Sequence, residues 1–104
     1  VPGIFEIPIA IRKNIKKYDG FVALGCVIKG ETPHFELICN STFASIIQIS
    51  LDFNKPITNG IITALNMKQA RQRSSIKINR NKPNKGKEAA EALISVLENA
   101  PKKI

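Results

Sequence analysis

The chain has 104 residues, of which 43% are hydrophobic and 23% charged, which is the composition of one globular domain and not of a disordered or fibrous protein. Its longest stretch without a charged side chain, residues 37–51, contains several polar residues and is shorter than the about 20 apolar residues of a membrane span, so we expect no membrane partner. Two cysteines, Cys26 and Cys39, and one histidine cannot build a disulfide framework or a four-ligand zinc site. We therefore expect small buried thiols, no metal, and a cytoplasmic location.

The net charge of +8 is concentrated in one segment. Residues 68–87 contain eight basic side chains and no acidic one, and they also contain no aromatic side chain. Modules that bind single-stranded nucleic acids interleave aromatic residues with basic ones so that bases can stack, so this pattern disfavours nucleic acid as a partner. A solvated surface and a phosphate-binding arm both remain open for the segment.

The first half of the chain predicts a helix, a strand and a second, longer helix. A helix is predicted over 5–18, because Ile7, Ile11 and Ile15 recur every fourth residue. The continuous apolar run 21–28 is typical of a buried parallel strand. Thr32 as N-cap and Pro33 at the first helical position then predict a helix that ends at Phe53. Its wide apolar surface indicates cover by its own sheet and by a neighbouring subunit.

The second half predicts one more strand and two helices. The strand spans 56–63 and is interrupted at Asn59-Gly60, where another chain or a ligand approaches closely. A short helix over 67–74, a basic loop over 74–84 and a helix over 85–100 follow. Alternating strands and helices imply a parallel sheet with helices packed on it. Two strands are few for a stable sheet and the chain does not begin with Met, so we expect that an N-terminal portion is missing.

The carboxyl ends of parallel strands predict a ligand site near residues 4–6, 26–34 and 57–60. Gly30, the Thr32 hydroxyl and the free N–H groups of the following helix form a candidate phosphate cradle, although no P-loop motif is present. The Glu31 carboxylate would repel phosphate, so its backbone amide is the expected contact.

Four side chains near this site have both a chemical and a structural interpretation. His34, at the positive end of a helix, is expected to be neutral and able to relay a proton, although a lone histidine is more often structural. Phe5 has two interpretations: its ring stacks on a planar ligand, or it packs in the core. Glu6 also has two: its carboxylate accepts hydrogen bonds from ligand hydroxyls, or it is an ordinary carboxylate in the first turn of a helix. Arg73 has the geometry for bidentate phosphate binding, whereas Lys85 acts as a point charge.

Five segments, PGIFEIP, ALGCVIKGETPHFELICN, NGIIT, QARQR and NKGKEAA, closely resemble the lumazine synthase family in order and spacing. The resemblance covers nearly the whole chain as a single domain, 1–104. It implies a three-layer α/β/α sandwich with a parallel sheet of flavodoxin-like topology, from which the N-terminal strand and helix are missing here. The 104 residues alone are therefore expected to fold poorly.

The resemblance also implies roles for individual residues. The residues expected to bind the pyrimidine ring and the ribityl chain of one substrate are Ile4, Phe5, Glu6, Cys26, Val27, Ile28 and Asn59. Position 59 is often aromatic in relatives, so a polar contact is expected to replace stacking there. Glu31, Thr32 and Arg73 are expected to bind phosphate. His34 is expected to donate a proton, and Lys85 to add an accessory positive charge.

The implied reaction belongs to riboflavin biosynthesis and condenses 5-amino-6-(D-ribitylamino)uracil with 3,4-dihydroxy-2-butanone 4-phosphate. It needs no cofactor. The resemblance further implies homopentamers or multiples of them, with sites between subunits, and riboflavin synthase as a partner. A non-catalytic protein that binds flavins or lumazines, or an inactive fragment, is the alternative.

Overall fold

A computed structural model describes residues 1–76 and 84–99. A short 3-10 turn at Ile4–Glu6 precedes the regular elements, which alternate between helix and strand before ending in two helices. In chain order they are α1 (Ile7–Asn14), β1 (Phe21–Ile28), α2 (His34–Phe53), β2 (Ile57–Ala64), α3 (Met67–Ser74) and α4 (Lys85–Glu98). Most of the predicted basic loop, 77–83, and the predicted last residue of the final helix, residue 100, lie outside the described residues.

The two strands form a parallel sheet in which Phe21 lies opposite Ile57 and Ile28 opposite Ala64. Side chains alternate between the faces of a strand. Odd-numbered side chains of both strands join the main core with α1 and α2, and even-numbered ones such as Ile62 and Ala64 pack with Ala70 of α3. The structure therefore confirms the predicted α/β sandwich of three layers, with the sheet in the middle.

Several predicted boundaries differ from the structure by one to four residues, and local backbone contacts explain those of the first three regular elements concerned. The first helix ends at Asn14 rather than at residue 18, because N–H groups beyond it bond to carbonyls three residues back. The α2 helix begins one residue late, at His34, with Pro33 as N-cap. The second strand spans Ile57–Ala64, because Pro56 has no N–H group and Lys29 N–H donates to the Ala64 carbonyl at 2.8 Å.

The predicted interruption at Gly60 is wrong, since β2 runs through it unbroken. A Cβ atom at Gly60 would lie 2.7 Å from Leu24 Cδ2 and 3.1 Å from the Ala23 carbonyl oxygen. The close approach therefore comes from β1 of the same chain, and a larger residue would separate the two strands.

One side of α2 packs on the sheet and another side faces solvent. Cys39, Thr42 and Ile46 are buried, whereas Leu37 and Leu51 are exposed. Among the helices of the described ranges, none is long and apolar enough to cross a membrane.

Candidate functional site

The edge of β2 that faces away from β1 carries two side chains that bind its backbone. Carbonyls of Pro56 and Ala64 accept hydrogen bonds from the β1 side, so the backbone groups of odd-numbered β2 residues face the opposite edge. There the Ile61 N–H donates to Asn59 Oδ1 at 2.9 Å. Arg73 Nη1 donates to the Thr63 carbonyl.

A cavity of about 590 Å³ lies along this edge. Its lining includes Asn59, Arg73 and Lys85, which the sequence placed in the site from three separate segments. A guanidinium, an ammonium and a carboxamide thus face one space together with the Glu88 carboxylate, and the net positive charge suits an anionic or carbonyl-rich ligand.

The α3 helix holds Arg73 at the cavity through a reciprocal cap. Asn66 Oδ1 accepts from the Gln69 N–H, and Gln69 Oε1 accepts from the Leu65 N–H, each at 2.9 Å. Ala70 is buried against the sheet, and Gln69, Gln72 and Arg73 lie on the neighbouring side of this helix, where they line the cavity.

The start of α4 is fixed to the end of α3 by Asn84. Its Nδ2 donates to the carbonyls of Ser74 and Ser75 at 3.0 and 2.9 Å, and its Oδ1 accepts from the Lys87 N–H at 3.0 Å. This double role as a cap and a bridge keeps Lys85 beside the helix that carries Arg73.

The turn after β1 is exposed and holds its own polar contacts. The Thr32 hydroxyl accepts from the His34 N–H at 3.4 Å, and Glu31 and His34 are both exposed. Beside this turn, Lys29 and Glu36 form an ion pair at 3.5 Å. Because both partners are about half exposed, this pair contributes little to stability.

The N-terminal segment divides its residues between core and surface. Ile4 is buried against Gly25, so its backbone rather than its side chain is free to meet a ligand. Phe5 is 59% exposed, which excludes the core interpretation for this side chain. Glu6 is half-buried.

The two cysteines differ in their surroundings. Cys39 is buried, and burial raises the pKa of its thiol, to which the nearby Glu36 carboxylate adds. Cys26 is exposed, so the prediction that both thiols are buried is wrong for it. Its side chain points to the sheet face where α3 and α4 pack mainly on β2, which leaves that part of β1 uncovered. Val27 and Ile28 beside it are half-buried.

The predicted site residues therefore fall into two groups within the described chain. One group, at the edge of β2, lines the cavity with Asn59, Arg73 and Lys85. The other comprises residues 4–6, the end of β1 and the turn that carries His34, and none of its members lines that cavity.

Comparison with known proteins gives the family. The sequence profile described as 6,7-dimethyl-8-ribityllumazine synthase matches residues 1–100. The chain belongs to the 6,7-dimethyl-8-ribityllumazine synthase family.

Three relatives with this name illustrate the similarity. The protein of Limosilactobacillus reuteri is 41% identical over 99 residues, which cover 93% of this chain and 62% of the relative. The protein of Leuconostoc mesenteroides is 42% identical over 100 residues, which cover 94% and 60%. That of Burkholderia ambifaria is 43% identical over 98 residues, covering 92% and 53%. The chain thus spans between 53% and 62% of the length of these lumazine synthases.

Sequence reasoning missed seven of the ten described residues that line the cavity of this lumazine synthase family member: Phe43, Ile61, Ile62, Thr63, Gln69, Gln72 and Glu88. The spacing of Gln69 and Gln72 with Arg73 places all three on one helix face, which was a usable signal. Phe43 belongs to the wide apolar surface of α2, and the pattern of apolar residues there does not separate core from cavity wall. In the described ranges, no group of three or more potential metal ligands occurs.

Proposed function

We propose that the protein to which this chain belongs condenses 5-amino-6-(D-ribitylamino)uracil with 3,4-dihydroxy-2-butanone 4-phosphate to give 6,7-dimethyl-8-ribityllumazine, phosphate and water. The observation that carries the proposal is the cavity in which Arg73 and Lys85 meet Asn59, in a chain whose family is known. Two cations beside a carboxamide match one phosphorylated substrate and one carbonyl-bearing heterocycle.

The reaction needs few chemical groups from the protein. The amine of the pyrimidine condenses with the ketone to form an imine and releases one water, phosphate leaves by elimination, and ring closure releases a second water. Arg73 donates one N–H to the Thr63 carbonyl, so most of its five N–H donors are left for the leaving phosphate. His34 is the proton donor, and the turn at Glu31 and Thr32 offers backbone amides to the phosphate. Holding the two substrates together supplies roughly 7–11 kcal/mol.

The complete site forms between two copies of the chain in a homo-oligomer. The separation of the predicted site residues into two groups supports this, because the cavity lacks Phe5 and His34 of its own chain. Helix α2 also exposes Leu37, Ile47 and Leu51. Because Leu37 and Leu51 are two heptads apart, they lie on one face of the helix, where a neighbouring copy can pack. We expect a pentamer or a multiple of it, located in the cytoplasm, that passes its product to riboflavin synthase.

The experiment compares two arginines of α3 in the protein to which this chain belongs. Arg73→Ala removes a charge-assisted contact of about 1.5–3 kcal/mol, so KM for the phosphorylated substrate should rise roughly 10- to 150-fold. Arg71→Ala makes the same charge change on α3 at an exposed position that does not line the cavity, and it should leave KM unchanged. Absorbance of the product follows the reaction.

Two outcomes would contradict the proposal. An unchanged KM in Arg73→Ala, or equal losses in both variants, would remove Arg73 from the phosphate site. Binding of 6,7-dimethyl-8-ribityllumazine by the wild-type chain without any turnover would instead identify a non-catalytic lumazine-binding protein.

A further inference from the structure

A hydrogen bond to its own strand orients the carboxamide of Asn59. Its Oδ1 accepts from the Ile61 N–H at 2.9 Å, so the oxygen is directed at the strand backbone. The Nδ2 group keeps two hydrogens, and no residue of the described ranges accepts from it. Asn59 is exposed and lines the cavity, so this edge of the strand offers a hydrogen-bond donor to a ligand and not an acceptor.

Phe43 lies beside Asn59 and supplies the aromatic surface. It projects from α2, is half-buried, and lines the 590 Å³ cavity. It also lines, with Asn59, an adjacent cavity of about 400 Å³ whose other walls are aliphatic, including Ile46, Ile47 and Ile57. Among the described residues that line the two cavities, Phe43 is the one with an aromatic ring.

We propose that Phe43 and Asn59 together select the heterocycle. The face of the ring packs on Phe43, and a carbonyl oxygen or unprotonated ring nitrogen at its edge accepts from Asn59 Nδ2. Asn59 thus makes the polar contact expected at a position that is often aromatic in relatives, and Phe43 of the neighbouring helix supplies the aromatic contact. This inference rests on the proposed function, because it specifies which residues of the same site read the ring.

The geometry restricts which heterocycles fit. Turning the carboxamide over would place Nδ2 against the Ile61 N–H, two donors facing each other, and the strand N–H would lose its acceptor. A pyrimidine-dione or pteridine-dione edge, with its carbonyl acceptors, fits the fixed donor. A ring whose edge presents only N–H donors does not.

The test measures the dissociation constant of 6,7-dimethyl-8-ribityllumazine for the full chain by calorimetric titration, together with the loss of ligand absorbance that accompanies stacking. Phe43→Leu keeps an apolar side chain but removes the aromatic face, and it should raise Kd roughly 5- to 150-fold and abolish the absorbance change. Phe43→Tyr keeps the face and should retain both the affinity and the absorbance change.

Asn59→Asp tests the donor separately. An aspartate keeps an oxygen for the Ile61 N–H but cannot donate, so Kd should rise by at least about 5-fold. Ser45→Asp is the matched control for the added charge, because Ser45 is exposed on α2 and lies about 200° around the helix from Phe43. It should bind like wild type.

The outcomes separate the inference from the function on which it rests. Wild-type affinity in Phe43→Leu or in Asn59→Asp overturns the inference, while lumazine formation by the same protein leaves the proposed function standing. A loss in Phe43→Tyr as large as that in Phe43→Leu also overturns it, since the side chain would then act through packing. A wild-type chain that neither binds the lumazine nor forms it overturns both.

Discussion

Thr42 and Thr58, on opposite faces of the sheet, have hydroxyl groups in contrasting surroundings. Thr42 in α2 is 1% exposed, and its hydroxyl oxygen has no hydrogen-bond partner among the described residues. Thr58 in β2 donates to the Ala89 carbonyl of α4 at 2.7 Å and so joins the sheet to the outer helix. Burying a hydroxyl without a partner is unfavourable, whereas a satisfied hydroxyl stabilises the fold.

The same substitution at these two positions should therefore change stability in opposite directions. Thr42→Val keeps the branched shape and removes the unsatisfied group, so the free energy of unfolding should rise by about 1 kcal/mol. Thr58→Val loses a hydrogen bond and should lower it by about 0.5–1.5 kcal/mol. Urea denaturation of the full chain measures both values. A Thr42→Val variant that is less stable than wild type would show that its hydroxyl has a favourable contact in the assembled protein.

Helix α3 is the element on which the proposed phosphate side of the site depends. It has eight residues, few for a helix to persist without caps and packing. It is anchored by Ala70 beneath the sheet and by the reciprocal bonds between its cap and Gln69. Arg73 lies in its last turn, so its position depends on the geometry of the whole helix.

Removing the Asn66 cap at the start of α3 should therefore weaken anion binding by Arg73, although Asn66 itself does not contact the anion. Asn66→Ala leaves the Gln69 N–H without its acceptor and should lower the free energy of unfolding by about 1 kcal/mol. It should also weaken binding of inorganic phosphate, measured by calorimetry, whereas Asn66→Asp should restore both properties. Phosphate affinity that stays at the wild-type value in Asn66→Ala would show that Arg73 is held independently of the helix start.

Each helix and strand of the described chain was predictable from local sequence, because α1 has apolar residues at helical spacing and β1 is a continuous apolar run. The boundaries moved by a residue or more where single hydrogen bonds decide them, as at Pro56 and Thr32. The turn of Thr32 and the cavity cations were predictable from residue type. Phe43 was not, because an apolar helix face looks the same in sequence whether it meets the core or a ligand space.

At the scale of the whole molecule, the described chain leaves two surfaces incomplete. The cavity at β2 lacks the side chains of the His34 turn, and α2 exposes an apolar stripe to solvent. Both features have one explanation in the proposed homo-oligomer, because a neighbouring copy can cover the stripe and bring its own turn to the cavity. Assembly and catalysis should therefore be lost together.

A single charge on the stripe tests this coupling. Leu51 is 71% exposed near the carboxyl end of α2, where a cation is favourable for the helix dipole, so Leu51→Lys should disturb association without disturbing the helix. We expect the mass measured by sedimentation to fall toward that of one chain and lumazine formation to fall with it. Ser45→Lys adds the same charge at an exposed position off the stripe and should change neither. A Leu51→Lys protein that is monomeric yet fully active would contradict a shared site, because each chain would then have to supply His34 and Arg73 to its own cavity.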